Sequence, residues 1–86
     1  MSDSEAFESR VCAIIADTFS ADPQSITRRT TADDVEGWDS LGHSILLARL
    51  SQKLGLEIGE EIAGQPSDVG ELVDLLEAER KRKIGD

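Results

Sequence analysis

Eighty-six residues make one domain, able to bury only about 60% of the surface its unfolded chain exposes, so a modest core has to be filled economically. Nine Lys plus Arg against eighteen Asp plus Glu give a net charge of −9, which repels nucleic acid and anionic membranes and favours basic protein partners. No apolar run approaches the roughly 20 residues that span a bilayer, and the opening Met-Ser-Asp-Ser-Glu has neither the basic start nor the apolar stretch of a signal peptide, so a soluble cytoplasmic protein is expected.

With two Phe, one Trp and no Tyr, the core must be aliphatic. The spacing of Phe7, Val11, Ile14, Ile15 and Thr18 predicts a first helix from about Ser4 to Phe19, and Ser2 and Glu5 stand at capping-box spacing ahead of it. Cys12 lies among these aliphatics, and a single cysteine has no internal disulfide partner, so it reads as a buried structural thiol. Residues 20 to 38 hold Asp22-Pro23, repeated Thr and Gly37 and read as a loop. A loop of that length needs anchors, and Ile26, Val35 and Trp38 are the apolar residues available.

A second helix is predicted from about Ser40 to Leu54. At about 100° per residue, Leu46, Leu47, Leu50 and Leu54 fall on one broad face, while Leu41, Ile45 and Ala48 fall roughly opposite. A helix facing only its own core does not require the second stripe, which suggests a surface for a partner. Gly55 supplies a C-cap signal, and Leu56 and Ile58 return to the core. A short helix is expected around Glu60 to Ala63. Gln65-Pro66-Ser67 then breaks the chain, with Ser67 as the cap of a last helix whose Val69, Leu72, Val73 and Leu76 follow helical spacing. The run Arg80-Lys81-Arg82-Lys83 complements the dipole of that helix, and a frayed basic tail is expected at 80–86. The sum is a single all-α domain over residues 1–86, a small four-helix bundle of three long helices plus one short, with a long loop between helices one and two.

The segment Gly37-Trp38-Asp39-Ser40-Leu41-Gly42-His43 places a serine hydroxyl where that loop becomes a helix. A helix N-terminus exposes N–H groups without intrahelical partners and carries partial positive charge, so it tolerates a phosphodiester better than most surface positions. Asp39 and Ser40 are also preferred N-cap residues, which by itself accounts for an Asp-Ser pair before an apolar helix. Ser40 and His43, three apart, invite a nucleophile-and-base pairing, but no orienting third group or oxyanion hole is evident and the segment does not match the G-x-S-x-G elbow. One His and one Cys on separate helices do not make metal-ligand spacing, and Asp33-Asp34 lack an EF-hand pattern, so neither a catalytic nor a metal site is expected.

From about Glu5 to Leu76, the order of long helix, long loop, serine-led helix, short helix and final helix, together with the Asp39-Ser40-Leu41 centre, resembles acyl carrier proteins, in their freestanding bacterial type II form. The resemblance implies a non-catalytic carrier. Its Ser40 would receive a 4'-phosphopantetheine arm from coenzyme A through a phosphopantetheinyl transferase, and acyl groups would travel as thioesters on the arm. It further implies that Asp39 helps engage the transferase, and that Leu41, Ser44, Ile45 and Ala48 dock partners such as a loading ligase or transferase or a ketosynthase. A monomer is expected.

The second helix departs from carriers of bacterial fatty-acid synthesis, which commonly place Glu where Ile45 stands and acids where this chain has Ser51 and Gln52. Residues 40 to 56 hold no acid and two bases, Arg49 and Lys53, while residues 1 to 39 hold nine acids. A dedicated fatty-acid, polyketide or related pathway is therefore expected. An aminoacyl or peptidyl carrier of a nonribosomal-peptide-type pathway is the alternative cargo, and an unmodified helical interaction module is the alternative of another class.

Overall fold

The computed structural model describes residues 3–59, 64 and 66–84. Among these residues three α-helices, α1 (Asp3–Phe19), α2 (Ser40–Leu54) and α3 (Val69–Ile84), carry the fold, with 3-10 turns at Pro23–Ser25 and Ala32–Asp34 between the first two. The short helix expected at 60–63 lies outside the described residues, as does Ser2 of the expected capping box. Among the described residues no helix is long and apolar enough to cross a membrane.

α1 packs against both other helices. Its Val11 and Ile15, Leu46 and Leu50 of α2, and Val69, Leu72 and Leu76 of α3 are the most deeply buried side chains, so each helix gives the core a stripe at i, i+3/i+4 spacing. The loop is anchored as its apolar residues imply: Ile26, Val35 and Trp38 are all buried. Cys12 is buried, and loss of hydration raises its thiol pKa, with the Glu8 charge adding to the rise and Arg28 opposing it.

Local chemistry sets the ends of these elements. α1 stops at Ser20, whose φ of 55° is left-handed, and Ala21 N–H returns to the Ala16 carbonyl at 2.8 Å. The first 3-10 turn combines Pro23 at its start with Asp22 accepting the Gln24 N–H at 2.9 Å. α2 ends at Gly55, φ 67°, whose N–H bonds the Ser51 carbonyl at 2.9 Å, while the Ser51 hydroxyl donates to the Leu56 carbonyl at 2.7 Å. The α3 cap is Asp68 rather than Ser67. Asp68 Oδ1 accepts the Glu71 N–H at 2.8 Å, and Ser67 contributes only its backbone N–H, donated to Glu71 Oε1 at 2.7 Å.

The long loop also holds the start of α3. Val69 N–H donates to the Thr30 carbonyl at 2.8 Å and Gly70 N–H to the Arg28 carbonyl at 2.9 Å, so two donors that a helix start leaves unpaired are satisfied by loop backbone. Arg28 then bridges Glu8 of α1 and Asp74 of α3, each at 2.9 Å, and these carboxylates, Asp74 foremost, raise the guanidinium pKa above its ordinary value. α3 continues through Ile84 and takes in the run Arg80-Lys81-Arg82-Lys83. Within it Arg80 lies 4.7 Å over the Phe7 ring and pairs with Glu77 at 2.6 Å, and Arg82 pairs with Glu79.

Candidate functional site

Asp39 is the N-cap of α2, with extended backbone angles (φ −107°, ψ −166°) and with Oδ1 accepting the Gly42 N–H at 2.8 Å. Its carbonyl accepts the His43 N–H at 2.7 Å. Ser40 is thus the first residue of the helix and is exposed, and its hydroxyl has no hydrogen-bond partner among the described residues. The N–H groups of Gly42 and His43 are bound by Asp39, whereas those of Ser40 and Leu41 have no intrahelical partner by the geometry of any helix start.

Residues 40 to 43 hold no acid, and a phosphodiester on Ser40 would meet the positive end of α2 beside the Asp39 carboxylate, whose Oδ1 is engaged by the Gly42 N–H. The hydroxyl is accessible and the local field is favourable, so the residues present fit a covalently attached phosphopantetheine.

The floor beneath this turn is aromatic. Phe19, at the end of α1, stacks on Trp38 with ring centroids 5.5 Å apart and planes 19° from parallel, and Trp38 stacks in turn on His43 at 6.2 Å and 18°. His43 is buried, at 5% exposure. Its Nδ1 accepts the Trp38 indole N–H at 3.0 Å, and its Nε2 lies 3.2 Å from the Gly64 carbonyl oxygen. An indole N–H only donates and a carbonyl only accepts, so the imidazole carries its proton on Nε2. Both ring nitrogens are engaged in hydrogen bonds to Trp38 and Gly64, and neither bond directs His43 toward Ser40 as a base.

Gly42 completes the floor. A Cβ there would stand 2.1 Å from the Gly37 carbonyl oxygen and 2.9 Å from Phe19 Cε1, and Gly37 itself sits at φ +92°. Backbone meets backbone at this point, which only glycine at 42 permits. The spacing Gly37-x4-Gly42 around the serine, and Trp38 five residues before His43, are the sequence signals that correspond to this floor; periodicity and capping rules alone do not reveal it.

Leu41, at 71% exposure, and Ile45, at 48%, are the exposed large hydrophobics of the described residues; Ser44 and Ala48 are exposed on the same helix. The opposite stripe is buried at Leu46 and Leu50 and partly buried at Leu47 and Leu54. The two-sided reading of α2 therefore holds. Two further positions of α2 are engaged within the fold. Arg49 is not a free charge of the outward face, since it pairs with Asp17 of α1 at 2.5 Å, and Ser51 is half-buried with its hydroxyl engaged at the helix end.

The family model described as "phosphopantetheine attachment site" matches residues 9–76. The match covers most of α1, the loop, all of α2 and α3 as far as Leu76, the last fully buried residue among those described. Such domains are covalently loaded with 4'-phosphopantetheine by a phosphopantetheinyl transferase and present what they carry to the enzymes of a pathway. With four fifths of its length inside that model and an exposed serine at the head of α2, the chain belongs to the phosphopantetheine-attachment family and is a carrier domain of the acyl-carrier-protein type.

Proposed function

We propose that Ser40 is the attachment residue and that the protein carries acyl intermediates for a dedicated fatty-acid, polyketide or related pathway. The observation that carries the first part is the accessible Ser40 hydroxyl at the first residue of a capped helix, inside the family match. In the loading reaction, Ser40 Oγ forms a bond to the phosphorus of coenzyme A that bears the pantetheine arm, the pyrophosphate P–O bond breaks, adenosine 3',5'-bisphosphate leaves, and the hydroxyl proton passes to the transferase. The arm's terminal thiol supplies the thioester chemistry. Asp39 holds the turn through its cap and offers its exposed carboxylate to the transferase. The protein works as a monomer in the cytoplasm.

Incubation with coenzyme A, Mg²⁺ and a promiscuous phosphopantetheinyl transferase is expected to add one arm, read by intact mass, and Ser40→Ala to abolish the addition. A folded wild type left unmodified by several such transferases would overturn the assignment.

Leu41, Ser44, Ile45 and Ala48 form the docking face in this reading, and it is uncharged. Acidic recognition helices steer carriers to basic partner patches; with Arg49 neutralised by Asp17, this face offers apolar contact instead. That favours a dedicated pathway over the housekeeping fatty-acid synthase. The loaded protein is expected to be a poor substitute in a reconstituted bacterial fatty-acid synthase and to improve on Ile45→Glu. Chain elongation matching that of a standard bacterial carrier would contradict the dedicated-pathway reading and leave the carrier function intact. A carrier of aminoacyl or peptidyl cargo would dock its enzymes through the same face, and loading by an adenylating ligase of amino acids would select that alternative.

A further inference from the structure

An exposed serine at the first residue of a helix stands where helices ordinarily fray. The Ser40 hydroxyl has no hydrogen-bond partner among the described residues, yet the chain on either side of it is held by three hydrogen bonds, all within residues 38 to 43: Gly42 N–H to Asp39 Oδ1, His43 N–H to the Asp39 carbonyl, and Trp38 Nε1–H to His43 Nδ1, at 2.7 to 3.0 Å. The first two belong to any well-capped helix. The third joins two side chains, one two residues before the serine and the other three after it, and so closes a ring around Ser40 from below.

We infer that His43 is a positioning residue for the loading of Ser40, acting through Trp38. The inference rests on Ser40 being the attachment residue. Core packing accounts for the burial of His43 and for its stack on Trp38, but an apolar ring would serve that purpose without nitrogens. What it leaves unexplained is the match of both nitrogens to partners of opposite kind, an indole N–H on one side and the Gly64 carbonyl on the other. Only the imidazole with its proton on Nε2 accepts at the first and donates at the second. The same ring therefore fixes the tryptophan that precedes the Asp39-Ser40 turn and ties α2 to the chain at Gly64. With Phe19 stacked under Trp38, and Gly42 closed against Gly37, the serine-bearing turn rests on a floor with little freedom to shift. A nucleophile held in a fixed geometry needs less ordering when the transferase binds, so the loading rate should depend on the Trp38–His43 bond itself.

Two substitutions separate the two bonds of the ring. In His43→Asn the amide oxygen can occupy the place of Nδ1 and keep the indole bond while losing Gly64. In His43→Gln the longer amide reaches the place of Nε2, keeps Gly64 and loses the indole bond. Trp38 is the only tryptophan of the chain, so its single indole N–H resonance reports that bond without ambiguity. Slow hydrogen exchange at the indole is expected in the wild type and His43→Asn, and exchange at least about tenfold faster in His43→Gln.

At a temperature where all variants are folded, kcat/KM for loading should fall about three- to tenfold in His43→Gln, the rate equivalent of one hydrogen bond, and stay within about twofold of wild type in His43→Asn. Trp38→Phe, which removes the donor and keeps the stack, should slow loading as His43→Gln does, and the double variant should be no slower than either single. Unslowed loading in His43→Gln with its indole bond lost overturns the inference, as does slowing of both His43 variants in proportion to lost thermal stability, or additive losses in the double variant. A wild type that takes no arm at Ser40 overturns the assignment of the site and this inference with it, whereas normal loading of the wild type beside any of those three results overturns the inference alone.

Discussion

Leu50→Ala should lower the folding free energy by roughly 2 to 5 kcal/mol, because it deletes most of a fully buried side chain and leaves a cavity that a small bundle closes only in part. At about 4 to 8 °C per kcal/mol for a domain of this size, the thermal midpoint followed by circular dichroism should fall by roughly 8 °C or more. Leu50 belongs to one buried cluster with Val11, Ile15, Leu46, Leu72 and Leu76, drawn from all three helices, so the loss falls on the bundle as a whole. Ile45, five residues earlier on the same helix, provides the contrast. It is half exposed, and Ile45→Glu should shift stability by less than about 0.5 kcal/mol, the usual range for a surface substitution. Comparable large losses at both positions would show that the outer stripe of α2 is core and not a docking face.

Gly42→Ala should destabilise the protein by about 1 to 3 kcal/mol, the usual range for overpacking, and the direction is the informative part. Helix propensity alone predicts the opposite, since Ala is favoured over Gly by about 1 kcal/mol in a helix interior. The contact overrides the propensity. The added methyl would stand 2.1 Å from the Gly37 carbonyl oxygen, far inside van der Waals contact, and the obstacle is backbone rather than the end of a flexible side chain. Relief requires moving the Gly37 turn, which sits at φ +92°, or lifting the first turn of α2 away from Phe19 and Trp38. Either movement displaces Ser40, so slower loading should accompany the lower midpoint. A raised midpoint in Gly42→Ala would mean that the helix start does not close against Gly37 as described.

The helices and the outer face of α2 were legible in the sequence because their signals are local. The apolar spacing of residues 7 to 18 and 69 to 76, the Asp39 cap and the Gly55 stop each act within one or two turns, and they placed α2 at its observed bounds of Ser40–Leu54. The same signals read Leu41, Ile45 and Ala48 as outward and Ile26, Val35 and Trp38 as anchors, and their exposures agree. Where two cap residues stood side by side, at Ser67 and Asp68, the local rule could not choose between them, and the carboxylate took the position.

Long-range pairs were not legible. Arg49 meets Asp17 across 32 residues and Arg28 meets Asp74 across 46, distances over which no spacing rule operates. The sequence set His43 aside as a catalytic base, but a hydropathy pattern cannot show that its two nitrogens are bound to Trp38 and Gly64. The floor under Ser40 is therefore a tertiary fact, although every residue of its hydrogen-bonded ring lies within six positions of the chain.

The central claim, that the arm is borne by Ser40, is tested most directly by mapping it on the loaded wild type. Cleavage after Arg29 and Arg49 releases residues 30–49, a peptide that contains Ser40 together with Ser44, Thr30 and Thr31, so the peptide mass alone does not choose among them. Fragmentation of that peptide by tandem mass spectrometry does. The added mass is expected on every fragment that includes Ser40 and on none that ends before it or begins after it; an arm found on Ser44, on either threonine or on any other peptide would contradict the account.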